Sequence, residues 1–194
     1  MKGVLLAIAL LLAPLCTAWV PEPALAAGGD VATQDEIRRD FVLTGTDGTP
    51  VHWKDFRGKV VALYFGFTTC PDICPTTMTK MKQVVRRLGP DADDLAVLFV
   101  TVDPERDTPE RLRTYLDYFN PAFVGLTGPR DKISRIAGAF GTKFRKVESD
   151  SAAGYLIAHT DLIYLIDRGG VTWAKHDSSI PVDRLLADVE ALLD

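Results

Sequence analysis

Two cysteines, Cys70 and Cys74, stand four positions apart in Thr68-Thr69-Cys70-Pro71-Asp72-Ile73-Cys74-Pro75. In the first turn of a helix, that spacing puts both sulfurs on one side. The unpaired amides and positive dipole end of the same helix favour thiolate over thiol. Pro71 and Pro75 stiffen the loop and fix how it enters the helix. Two thiolates on one face make either a soft-metal site or a redox pair. Three intervening residues are one more than the usual thiol–disulfide motif carries. The wider loop still permits a disulfide, and it lets both sulfurs reach one ion. A structural zinc would want four protein ligands. Beyond this pair the chain offers His52, His159 and His176. Two sulfurs and one imidazole suit a low-coordinate soft ion, with Cu(I) the leading choice. Met78, one turn after Cys74, is read as core packing ahead of a weak thioether ligand.

The elements that must position these residues alternate along the chain. Residues 41–44 and 50–53 flank Asp47-Gly48 and predict a hairpin. The continuous apolar run 59–67 predicts a strand buried on both faces. It leads through the cysteine loop into a helix over 76–88, with Met78, Met81, Val84, Val85 and Leu88 on one face, stopped by Gly89-Pro90. Residues 95–102 predict a second buried strand. Thr108-Pro109-Glu110 opens a helix running to about Phe119, with Thr108 as N-cap, Pro109 at the first position and Glu110 at the positive end. A helix over 131–140 and a short strand over 143–147 follow. The strand 162–166 then turns at Arg168-Gly169-Gly170 into 171–175, and 181–193 forms a closing amphipathic helix. This is an α/β fold with a mixed central sheet flanked by helices, the thioredoxin-like arrangement. In that arrangement the loop before the third strand faces the active helix, which selects His159 over His52 and His176 as the imidazole beside the two sulfurs.

The first 26 residues stand apart from the fold. Lys2 precedes a long apolar run, and Ala24-Leu25-Ala26 offers a small-x-small cleavage pattern, so 1–26 is read as a signal peptide or an N-terminal membrane anchor. Acylation of Cys16 is a third reading, weakened by Leu15 before it. Residues 27–40 read as a flexible tether and 41–194 as the folded domain. Export places the chain on the periplasmic side of the inner membrane, where cysteines tend to be oxidised unless a reductant protects them. Apolar residues make up 47% and charged residues 25% of the chain, and its net charge is −4. That balance lacks the basic footprint of a nucleic-acid binder.

Three separated segments resemble the SCO/SenC family. They are Phe65-Gly66-Phe67-Thr68-Thr69-Cys70-Pro71-Asp72-Ile73-Cys74-Pro75, Val102-Asp103-Pro104-Glu105-Arg106-Asp107-Thr108-Pro109, and His159-Thr160. The resemblance runs from about residue 41 to the C-terminus. It implies a thioredoxin-like copper protein that assists assembly of the dinuclear copper centre of cytochrome c oxidase. It also implies Cys70, Cys74 and His159 as ligands. The expected partners are oxidase subunit II, other copper chaperones and a thiol reductant. Asp103 is expected either as part of a strand exit and cap, or as an acceptor supporting the site from behind.

The main rival is a thiol–disulfide oxidoreductase using Cys70 and Cys74 as a disulfide-forming pair, which would not need His159. A peroxidase with Cys70 as the attacking thiolate is disfavoured, because Phe67 and Leu63 occupy the positions where such sites resemble Thr and Pro. Copper storage would want more thiols than this chain has.

Overall fold

The computed structural model describes residues 40–149 and 154–194. The leader expected over 1–26 and the tether over 27–40 therefore lie outside the described residues, Asp40 excepted. The described chain begins with the expected hairpin, β1 (Val42–Gly45) and β2 (Pro50–His52). At its turn Asp47 accepts from the Thr49 amide at 2.9 Å and from the Thr49 hydroxyl at 2.7 Å, and Gly48 takes the left-handed φ of 82° that the turn needs. The apolar run then forms β3 (Val60–Gly66), buried at all seven positions.

Helix α1 (Ile73–Leu88) follows the cysteine loop and buries Cys74, Met78, Met81, Val84 and Leu88. It begins three residues before the expected start, so Cys74 stands inside its first turn. Strand β4 (Leu95–Thr101) is again wholly buried and pairs in parallel with β3, from Val60↔Leu95 to Gly66↔Thr101. Helix α2 (Pro109–Asp117) is capped as expected, with the Thr108 hydroxyl accepting from the Arg111 amide. It closes just before Phe119, where the amides of Phe119 and Asn120 turn back onto the Leu116 carbonyl.

Strand β5 (Val124–Thr127) was not expected from the sequence. It runs parallel to β4 and antiparallel to β1, and so joins the hairpin to the sheet. Helix α3 (Arg130–Phe140) buries Ile133, Ile136 and Phe140 and ends on Gly141 at φ 85°. Two strands outside the main sheet come next, β6 (Phe144–Glu148) and β7 (Tyr155–His159), paired antiparallel. The segment before β8 that carries His159 is a strand in its own ribbon where the sequence predicts a loop. Strands β8 (Leu162–Ile166) and β9 (Thr172–Asp177) and helix α4 (Val182–Leu193) complete the chain.

The main sheet has the order β2-β1-β5-β4-β3-β8-β9. Its centre, β3 between parallel β4 and antiparallel β8, carries most of the core. Helices α1 and α4 pack against each other over it. The mixed α/β sheet with helical layers is the expected thioredoxin-like fold. Among the described residues no helix is long and apolar enough to cross a membrane.

Candidate metal and redox centre

The cysteine loop leaves the end of β3 and is anchored before it reaches the helix. Asp107, fully buried, accepts from the Thr68 amide at 3.0 Å, the Thr68 hydroxyl at 2.5 Å and the Thr101 hydroxyl at 2.6 Å. Arg111 Nε adds a bond to Thr68 Oγ1 at 2.9 Å. Burial pushes the Asp107 carboxyl above its ordinary range despite those donors. The sequence shows Asp107 only as a member of the Val102 to Pro109 segment, and this anchoring role is not legible there.

Cys70 lies in the loop ahead of Asp72, the N-cap of α1, whose own side chain makes no capping bond. Instead the Cys74 amide, in the first turn, donates to Cys70 Sγ at 3.4 Å. The cysteine sulfur thus takes the place of a capping oxygen, and the helix end favours its anionic form. Cys74 is fully buried while Cys70 is partly exposed. A bond from the Cys74 thiol holds Cys70 well below the usual thiol range, helped by His159 and by the Cys74 amide. Cys74 is pushed the other way, by its bond to Cys70 and by burial. The two sulfurs therefore divide into an accessible thiolate and a buried thiol, and they are not joined as a disulfide.

His159 arrives from the end of β7. Its Nε2 lies 3.7 Å from Cys74 Sγ, and its Nδ1 lies 3.1 Å from the Thr160 carbonyl. The Thr160 carbonyl can only accept, so an Nδ1–H points there and Nε2 is left on the side of the sulfurs. The ring is held edge-on between Tyr64 and Phe67, at centroid distances of 6.1 and 5.9 Å. Tyr64 Oη donates to Asp161 Oδ1 at 2.8 Å and lies 3.8 Å from Cys74 Sγ. The Ser178 hydroxyl donates to the other Asp161 oxygen. Sequence reading did not find this Tyr64–Asp161–Ser178 frame, which no local pattern marks.

Among the described residues, no three His, Cys, Asp or Glu side chains stand closed around one point. The three candidate ligands meet as contacts beside a cleft of about 280 Å³ that Cys70, Ile73, Leu156 and His159 help to line. Two atoms bound to one ion at about 2.1 and 2.3 Å, with an angle near 110–120°, stand about 3.6–3.8 Å apart. The Cys74–His159 separation fits that edge, and the soft donor set fits a soft ion.

The remaining sequence candidates bond other groups than the three ligands. Asp103 is fully buried, and its carboxylate is bonded by Arg106 Nε at 2.5 Å and by Tyr155 Oη at 2.8 Å. His52 lies in β2, and His176 in β9 faces Asp188 at 3.0 Å. Met78 is fully buried in the core.

Residues 29–194 match the family model described as SCO1/SenC. A SCO2-like protein of Rickettsia felis is 37% identical over 158 residues, spanning 80% of this chain and 77% of its own length. The mitochondrial SCO1 homolog of Homo sapiens is 39% identical over 132 residues, spanning 67% of this chain and 44% of that protein. The structure of Bradyrhizobium japonicum ScoI with copper bound is similar at a TM-score of 0.73 and 35% identity, covering 79% of this chain and 97% of that one.

Proposed function

The chain belongs to the SCO1/SenC family, and from that premise we propose that it is a copper metallochaperone that holds one Cu(I) through Cys70, Cys74 and His159. It delivers the ion to, or prepares the thiols of, the dinuclear copper site of cytochrome c oxidase, with subunit II as acceptor. It works on the periplasmic side of the inner membrane, exported or anchored by residues 1–26. The observation that carries this reading is His159 Nε2 facing Cys74 Sγ at 3.7 Å, because a redox pair alone has no use for that imidazole. A relative of known structure binds copper, which supports the choice of ion.

In this reading copper is cargo, and the chain's own groups determine how it is taken up. Cys70 is the accessible thiolate and meets the ion first. Cys74 loses its proton as it joins, so uptake releases a proton and weakens at low pH. His159 completes the set through Nε2, with Nδ1 held at the Thr160 carbonyl.

A second reading is favoured by the unequal cysteines. An accessible thiolate next to a buried thiol is the arrangement a thiol–disulfide oxidoreductase uses, with Cys70 attacking and Cys74 resolving. Copper titration of reduced and disulfide-bonded full-length chain separates the two, together with His159→Ala. The chaperone reading expects one equivalent in the reduced form and at least roughly 100-fold weaker binding when oxidised, since the disulfide removes both thiolates. It expects His159→Ala to release copper more readily while the cysteines still cycle. Two equivalents, equal binding by the oxidised form, or unchanged copper retention in His159→Ala would overturn it. Impaired thiol cycling in His159→Ala with normal oxidase assembly would promote the oxidoreductase.

A further inference from the structure

His159 does not stand on the seven-stranded sheet. It ends the ribbon strand β7, and the other end of that strand, Tyr155, meets the loop that follows β4. There the Tyr155 hydroxyl donates to Asp103 Oδ1 at 2.8 Å, and Arg106 Nη1 donates to the Tyr155 carbonyl at 3.0 Å. The Arg106 guanidinium carbon lies 3.7 Å from the centroid of the Tyr155 ring. Arg106 Nε meanwhile bonds Asp103 Oδ2 at 2.5 Å. On β6, Lys146 lies 4.5 Å from the same ring and pairs with Glu105. One four-residue stretch, Asp103 to Arg106, therefore grips both strands of the ribbon.

Resting on the copper reading, we propose that Arg106 and Tyr155 form a latch that positions His159 and so sets how tightly the ion is held. The argument is mechanical. The buried Asp103 carboxylate needs a cationic partner, which commits Arg106 to one place. Only a planar guanidinium can pair with that carboxylate, stack on the ring and bond a carbonyl at once; an ammonium cannot. From Tyr155 to His159 is about 13 Å of strand at 3.3 Å per residue. All five of its residues are paired with β6, from Glu148↔Tyr155 to Phe144↔His159. Fixing the start of such a strand fixes its end. Freeing the start lowers the fraction of molecules with the imidazole in place, and apparent affinity falls by the same fraction. Arg106 and Tyr155 act through His159 and are positioning residues.

The test uses the full chain with Arg106→Lys, Tyr155→Phe, His159→Ala and the double variant Arg106→Lys/His159→Ala. Each is scored for Cu(I) retention against a chelator, for the thiol–disulfide equilibrium with glutathione, and for hydrogen exchange of the ribbon amides. Arg106→Lys should weaken Cu(I) binding about tenfold and Tyr155→Phe about threefold, with the thiol equilibrium within about twofold of wild type. Ribbon amides should lose protection while those of β3 keep theirs. On the His159→Ala background, Arg106→Lys should add nothing, because two changes acting through one group are not additive. An equal further loss on that background would overturn the latch, since Arg106 would then act elsewhere. Wild-type affinity in Arg106→Lys beside a weakened His159→Ala would overturn the latch and leave the copper reading standing. Wild-type affinity in His159→Ala would sink the copper reading and the latch with it.

Discussion

The ends of β3 and β7 aim at the same point and are built in opposite ways. Strand β3 is buried at all seven positions and has a hydrogen-bonded neighbour on each side. Strand β7 buries only Ile157 fully, and among the described residues it pairs with β6 alone. Cys74 stands in the first turn of α1, just after the loop that leaves this buried strand, with Cys70 tied in by Asp107 and Thr68. His159 hangs on a peripheral ribbon held by a few side chains. The groups that meet at the cleft thus come from beside a wholly buried strand and from a less buried ribbon, and the ribbon is the part expected to open locally.

The largest effect that can break this contrast is Phe99→Ala. Phe99 is fully buried in β4 beside Tyr64 and Tyr115. Truncation should cost about 3–5 kcal/mol of global stability in denaturant unfolding, and both cysteines should lose protection together with the fold. A loss under about 1 kcal/mol would mean that the sheet centre is not the rigid half.

The anchor of the cysteine loop on the sheet side comes next. Asp107→Ala leaves three donors without their acceptor and should cost about 1–3 kcal/mol. Asp107→Asn isolates the charge. Burial raises the carboxyl above its ordinary 3.8 in the native state, so the folded chain keeps that proton to higher pH than the unfolded chain. The contribution of Asp107 to stability is therefore greatest below 3.8 and falls as pH rises through the folded value. Urea midpoints across that range should show wild type losing ground to Asp107→Asn as pH rises. Parallel curves would remove Asp107 as the titrating group.

The smallest effect lies in the ribbon. Val147→Ala, half-buried in β6, should cost about 1 kcal/mol or less globally while speeding exchange of the β7 amides. Cooperative loss across the whole domain would show that ribbon and sheet open as one unit, and would end the comparison.

The difference between the halves also explains what the sequence reveals. Strands β3 and β4 are continuous β-branched and aromatic runs, and such runs announce themselves. The cap at Thr108 and the turn at Asp47-Gly48 are local chemistry and were legible for that reason. Strand β5 was not: it is four residues long and carries Gly125, a poor strand former. That glycine is demanded by packing, since a Cβ there would come within 2.8 Å of Leu116 and Thr46 side chains. Strand β7 is hidden in the sequence because Tyr155-Leu156-Ile157-Ala158-His159 has no alternation of period two, and its pairing with β6 is decided outside the segment. The cysteine pair was legible from spacing and the histidine from its place before β8. Asp103 was marked by its motif, but its link to the ribbon was not, because Tyr155 lies 52 residues from Asp103 and 49 from Arg106.

The position of β8 beside β3 has a consequence for the order of events in a newly made chain. Cys74 and His159 are 85 residues apart and meet because two strands pair across the middle of the sheet, from Val61↔Ile166 to Tyr64↔Ile163. Closing so long a loop is a late and slow step compared with forming a helix or a hairpin. A chain that emerges N-terminus first exposes both cysteines well before β8 exists. Until that pairing forms, a metal ion can be held by two sulfurs at most, and those sulfurs are open to oxidation. On the copper reading proposed above, retention by Cys70, Cys74 and His159 together is therefore open only to the finished topology.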